Sequence, residues 1–258
     1  MAGTCELGRL EKKRTTPTVG LVTGLSYVSG VTYYQQLNEK VTAVVGTGEV
    51  IPHNPEIVMI SLDCDPYAAA LGRRDYAAVI AYLVGAVRRL RAAEVDFVCL
   101  ASNTAHIAAP AIAAEGMPLL HIADATACEA LAHGHRRLGL LGTEPTMRED
   151  YLKKQLGRHG VEVLVPGEDD QQVIFGKIMH ELGFGVFSDE TRDYFVAQIH
   201  SLVARGAQGI ILGCTEIEEL ELEGKVPGVR LYRSAGLHID AIANVLAGQK
   251  TLATYSPA

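Results

Sequence analysis

The 258-residue sequence lacks a sustained basic stripe, and its formal net charge is −7. That balance excludes nucleic acid as the main partner. No run approaches the roughly 20 consecutive apolar residues needed to span a membrane. The only basic cluster, Lys12-Lys13-Arg14, lies in an N-terminal leader, residues 1–17, without the apolar core of a signal peptide. Its acidic Glu6 and Glu11 count against an organellar address, so a cytoplasmic location is expected. Cysteine is scarce too: Cys5, Cys64, Cys99, Cys128 and Cys214 form no Cys-x-x-Cys pair and no zinc-like spacing with histidine. A disulfide framework and a structural metal are therefore not expected. Residues 20 to 25, Gly20-Leu21-Val22-Thr23-Gly24-Leu25, do not give Gly-x-Gly-x-x-Gly, and no Gly-Lys-Ser/Thr loop occurs. Those absences argue against a nucleotide cofactor.

What is present is a regular alternation of short β-rich runs with helical patterns, the signature of βαβ units and a mainly parallel sheet. Strands are expected near Thr18 to Val22, Glu56 to Ser61, Asp96 to Ala101 and Leu119 to Ile122, with helices near Ser29 to Val44 and Tyr76 to Ala93. A second series opens at Arg137-Leu138-Gly139-Leu140-Leu141-Gly142-Thr143, which echoes Thr18-Val19-Gly20-Leu21-Val22-Thr23-Gly24. It continues with a helix near Met147 to His159, a strand near Val161 to Val165, and helices near Gln171 to Leu182 and Asp189 to Arg205. The fold class is α/β, as two similar lobes with parallel sheets related by duplication and a site in the cleft between them. The first lobe is expected over residues 18–123 plus 229–250, with the strand Val229 to Tyr232 and a helix near Ala235 to Leu246 returning to complete it. The second lobe covers 124–228, and 251–258 reads as a tail.

Each series contains an apolar run that breaks into a small polar cluster. One is Phe97-Val98-Cys99-Leu100-Ala101-Ser102-Asn103-Thr104-Ala105-His106; the other is Gly209-Ile210-Ile211-Leu212-Gly213-Cys214-Thr215-Glu216. Both place one reactive side chain where a parallel strand ends and a helix begins, the position at which open α/β sheets bind ligands. Ser102 occupies it in one half and Cys214 in the other. Cys64, Cys99 and Cys128 read as small buried hydrophobes. Cys214, between Gly213 and Thr215 at a helix start, reads as a thiol that the helix dipole would shift toward thiolate.

These residues carry a family resemblance. Gly20 to Gly24 with Thr32-Tyr33-Tyr34, the Ser102 to His106 run, Leu120-His121-Ile122-Ala123-Asp124-Ala125-Thr126, Leu141-Gly142-Thr143 with Thr146-Met147, and Gly213-Cys214-Thr215-Glu216 together resemble the aspartate/glutamate racemase family, in its aspartate racemase branch. The similarity runs from about Thr18 to about Leu246. It implies a cofactor-independent enzyme acting on a small acidic amino acid, and a homodimer. In the family, cysteines from the two lobes flank the substrate α-carbon, one removing the α-proton and the other supplying a proton from the opposite face. The matching positions here are Ser102 and Cys214. The second-lobe cysteine faces the α-proton of the L-enantiomer, so the resemblance implies an enzyme that favours L-substrates.

Inverting a stereocentre by proton transfer requires a base on one face and an acid on the other, within about 3 Å. A serine hydroxyl is a far weaker acid than a thiol, so Ser102 is a poor symmetric partner for Cys214. It can relay a proton, hold the substrate carboxylate, or fill space. Asn103, Thr104 and Thr215 sit where a carboxylate would meet helix-start N–H groups, with N-capping as the plain alternative. Glu216 can orient a water or the ammonium group. Ser26 and Tyr27, with Thr143 and Thr146 as their equivalents, are candidates for the substrate's α-carboxylate end. His106 and His121 match the motif and read equally as structural. Arg73, Arg74, Arg148 and Lys177 are candidate readers of a side-chain carboxylate, and Arg233-Ser234 departs from the acidic residue and threonine of relatives. Two other functions remain open at this point: a single-cysteine decarboxylase of a substituted malonate, and an inactive acidic amino-acid binding protein.

Overall fold

The computed structural model describes residues 16–46, 51 and 53–257. The expected leader up to residue 15, Cys5 included, lies outside them. The first half runs β1 (Val19–Thr23), α1 (Tyr27–Val45), β2 (Ile57–Ser61), α2 (Cys64–Gly72), α3 (Tyr76–Ala92), β3 (Phe97–Leu100), a 3-10 turn (Thr104–Ala108), α4 (Ala109–Ala114) and α5 (Ile122–Ala132). The second half runs β4 (Arg137–Gly142), α6 (Glu144–Arg148), α7 (Tyr151–Arg158), β5 (Glu162–Leu164), α8 (Glu168–His180), α9 (Asp189–Ala204), β6 (Gly209–Gly213), α10 (Thr215–Glu218), β7 (Arg230–Arg233) and α11 (Ser234–Leu246).

The strands form two all-parallel sheets with orders β2-β1-β3 and β5-β4-β6-β7. In each the opening strand is central, flanked by the next strand and by the strand that carries the reactive turn. Every residue of β1, β3 and β6 is buried, which explains why these strands read as unbroken apolar runs: parallel strands are covered on both faces. The first sheet has α1 and α11 on one face, where Val19, Leu21, Tyr33, Leu37 and Ile239 pack together. On its other face Val22, Tyr67, Leu83, Val87 and Leu100 pack under α2 and α3. The second core gathers Leu138, Leu140, Phe195, Leu202, Ile210 and Tyr232 around β4 and β6.

Three expectations are corrected. The strand expected at Val229 to Tyr232 does not complete the first lobe; as β7 it pairs with β6. A side chain at Gly209 would meet Tyr232 at 2.6 Å, so the bare glycine lets β7 close against this edge. Of β7 and α11, it is α11 that returns to the first-lobe core. The Leu119 to Ile122 strand shrinks to one bridge between Val98 and Leu119, because α5 begins at Ile122. The helix expected over Met147 to His159 is broken into α6 and α7 where Glu149 turns extended, with φ −73° and ψ 159°. The expected tail packs over its described residues, 251–257: Tyr255 is buried against the first-lobe core.

At the β1–α1 turn Gly24 has φ +86°, and a Cβ there would lie 2.2 Å from the Leu62 carbonyl oxygen. Only glycine fits. Among the described residues, no helix is long and apolar enough to cross a membrane.

Candidate active site

A cavity of about 650 Å³ opens between the lobes at the C-terminal ends of the central strands. Ser26 reaches it after β1, Ser102 after β3, Thr143 after β4 and Cys214 after β6. The two reactive turns thus face one space. Asn103, Thr104, Thr215 and Glu216 also line it.

Cys214 is the N-cap of α10 and makes no side-chain cap. Its Sγ instead donates to Glu216 Oε2 at 2.8 Å, and Thr215 Oγ1 donates to the same oxygen at 2.9 Å. Part of Cys214 opens on the cleft, yet its Sγ is surrounded closely enough that burial pushes the thiol well above its ordinary range, with the Glu216 carboxylate pushing the same way. The resting side chain is therefore a thiol, correcting the expected dipole-favoured thiolate. α10 is four residues long, and so short a helix offers little dipole against a carboxylate in direct contact. The arrangement is an acid–base pair: Glu216 is placed to take the thiol proton and release a thiolate.

Across the cleft, Ser102 is set by its backbone. Ile122 N–H donates to His106 Nε2 at 3.2 Å, so His106 Nδ1 carries the proton and donates to the Ser102 carbonyl at 2.8 Å. Burial, with a contribution from His238, lowers the His106 pKa to about 3, keeping the ring neutral in this one tautomer. His121 Nδ1 accepts from Ala123 N–H as the cap of α5. His106 thus braces the Ser102 turn, and His121 caps α5 with its ring centroid 4.3 Å from that of His106.

With this geometry in place, comparison with known proteins is decisive. The Asp/Glu/Hydantoin racemase family model matches residues 22–242. The chain belongs to that family. A candidate Asp/Glu racemase from Yersinia pestis is similar in structure, with 34% identity, a TM-score of 0.80 and coverage of 88% of this chain and 98% of that one. An aspartate racemase homologue from Pyrococcus horikoshii OT3 follows at 26% identity and TM-score 0.72, covering 90% and 99% of the two chains. The broad specificity amino-acid racemase RacX of Bacillus subtilis (strain 168) is 28% identical over 150 residues, 57% of this chain. The match spans 64% of that relative's length.

Within this racemase fold the other expected site residues divide. Tyr27 is 76% exposed and lies outside the cavity, because the first turn of α1 points it to solvent. Thr146 is fully buried behind the wall, in a hydroxyl cluster joining the lobes: Thr104, Thr143 and Thr146 lie 2.9–3.2 Å apart, with Tyr151 at 3.1 Å from Thr146. Asn103 donates from Nδ2 to Ser234 Oγ at 2.9 Å, and Ser234 donates to the Leu212 carbonyl at 2.7 Å. Ser234 therefore straps the Ser102 turn to the Cys214 strand, a role that no local pattern around Ser234 announces. Cys64, expected to be buried, is exposed at the start of α2 and lines the cleft.

Of the four candidate cations, only Arg74 lines the cavity. It binds Glu144 Oε1 at 2.6 Å, and Arg148 binds the same oxygen at 3.0 Å. Lys177 is held by Glu181 and Thr191. Apolar side chains, including Leu25, Leu71, Phe175 and Ile178, make up much of the remaining wall.

Glu218 lies just behind the site, accepting from Ala235 N–H at 3.0 Å with Arg233 Nε 3.6 Å away. Burial raises its pKa from 4.5 to about 7 despite these partners. A carboxyl with a raised folded-state pKa holds its proton more tightly when folded, so stability falls as pH rises from 4.5 through 7. The displacement corresponds to roughly 3 kcal/mol. Glu218→Gln should flatten this slope in denaturation curves taken across that window; an unchanged slope would show that Glu218 is not its source.

Proposed function

We propose that this chain racemises an α-amino acid without a cofactor, with Cys214 as the base toward the L-enantiomer and Ser102 on the opposite face. The observation that carries the reading is the Cys214–Glu216 pair opposite Ser102 in one inter-lobe cavity, in a chain of this family. Glu216 takes the thiol proton; the thiolate then removes the α-proton, leaving its electron pair on the α-carbon. A proton delivered from the Ser102 side gives the D-enantiomer, and one returned by Cys214 regenerates the L-enantiomer. Because a serine hydroxyl is a weak acid, return is the faster path, and exchange outruns inversion.

An acidic substrate fits Arg74. Transfer of its guanidinium to a ligand carboxylate leaves Glu144 still paired with Arg148, so the cost is small. The apolar wall favours a second reading, in which neutral amino acids with longer side chains are also accepted. Chiral analysis of products from L-aspartate, L-glutamate and a panel of neutral L-amino acids, without pyridoxal phosphate, tests both. Inversion of aspartate or glutamate supports the first; inversion confined to neutral substrates overturns it; no inversion or exchange of any amino acid overturns the racemase reading.

A homodimer is proposed as well. Tyr27, Val28, Val31 and Tyr34 are exposed together on α1, and contiguous apolar surface of this kind marks interaction sites. Sedimentation should give twice the 27.6 kDa chain mass; the monomer mass would rule this out.

A further inference from the structure

We propose that Tyr67 supplies the proton that Ser102 passes to the substrate α-carbon on the first-lobe face. The inference rests on the racemase reading and concerns the half of that reaction for which Ser102 alone is chemically weak.

Tyr67 stands on α2, lines the cleft and is 4% exposed. Its Oη is buried without a hydrogen-bond partner. Leaving a buried hydroxyl unsatisfied costs about 1–3 kcal/mol, and phenylalanine would avoid that cost at the same volume. Tyr67 and Ser102 line the same cavity; no hydrogen bond closes onto the phenol oxygen, and the Ser102 side chain favours the phenol's ionisation against the larger opposing effect of burial. The net direction is upward, so Tyr67 holds its proton at neutral pH. The Ser102 carbonyl is committed to His106, whereas its hydroxyl stays free to receive and donate. A hydroxyl can do both at once, and a phenol, with an ordinary pKa near 10, is a much stronger acid than an alkyl alcohol.

The transfer balances as follows. Cys214 thiolate takes the α-proton, and the C–H electron pair stays on the α-carbon. The Ser102 Oγ–H bond breaks as its proton forms the new C–H bond, and the Tyr67 Oη–H bond breaks to restore the serine hydroxyl. Tyr67 is left as tyrosinate, Cys214 as thiol and Glu216 as the carboxylic acid that took the thiol proton; Glu216 releases that proton to solvent and solvent returns one to Tyr67, which restores the resting site. Tyr67 never touches the substrate. It acts through Ser102, and because a buried tyrosinate is costly, this route is slower than return from Cys214.

The test is Tyr67→Phe, assayed in heavy water for deuterium in recovered L-substrate and for D-product. Deleting a buried oxygen that has no partner should raise thermal stability rather than lower it. Inversion should fall about 10²-fold, the usual range for loss of an acid–base group, while deuterium exchange into the L-substrate changes less than about twofold. In a Ser102→Cys background, where a thiol brings its own acidic proton, Tyr67→Phe should have no effect on inversion. Equal losses of exchange and inversion, or no loss of inversion, would overturn the role of Tyr67 while the racemase reading stands. Absence of exchange by the unaltered protein would overturn both.

Discussion

Cys214→Ala is expected to abolish α-proton exchange and inversion together, lowering turnover at least ~10³-fold, within the range for a lost general base. In the proposed reaction the Cys214 thiolate, at the end of β6 in the cavity wall, is the group that removes the α-proton. Exchange by quench and mass spectrometry reads the effect directly. Cys214 borders the second core only as a partly buried residue, so the variant should fold; unchanged near-ultraviolet circular dichroism would separate lost chemistry from lost structure. Exchange that persists in Cys214→Ala would transfer the base role to another residue.

Glu216→Gln should have the second largest effect, with its sign read from the pH profile. In the resting site the carboxylate both receives the thiol hydrogen bond and, after burial, holds the thiol pKa up. Rate from an L-substrate should therefore rise with pH as thiolate forms, through an acid limb at or above the ordinary thiol range. Removing the charge lets the thiol ionise more easily, so the limb moves to lower pH. Removing the base slows formation of the reactive pair, so the plateau falls by about 10²-fold. A limb that stays in place would mean that burial alone sets the thiol.

Much of this site was legible because of where parallel strands end. Phe97 to Leu100 and Gly209 to Gly213 are buried on both faces, so they appear as apolar runs, and the polar residues that follow must sit at a sheet's carboxyl edge. That brought Ser102, Asn103, Thr104, Cys214, Thr215 and Glu216 to one cavity. Local pattern failed where long-range packing decides. Tyr27 and Ser26 are neighbours in sequence, yet Ser26, the N-cap of α1, lines the cleft while Tyr27, the first residue of the helix, faces solvent. β7 joined the second sheet because Gly209 leaves room for Tyr232, a match between residues far apart in the chain. Tyr67 lies on α2, a helix with only a short apolar stretch to announce it, and its approach to Ser102 depends on how α2 packs over the first sheet. The protonation of Cys214 is hidden for a related reason: a helix start is visible in sequence, but the orientation of the Glu216 carboxylate two residues on is not.

The most direct measurement is the initial rate of α-deuterium incorporation by the unaltered protein from separate L- and D-enantiomers of aspartate and glutamate, with chiral analysis of each product. A thiol on one face and a serine on the other predict fast exchange into the L-acid, slower inversion to D, and still slower exchange into the D-acid. Equal wash-in from both enantiomers, at the rate of inversion, would contradict a one-sided base at Cys214.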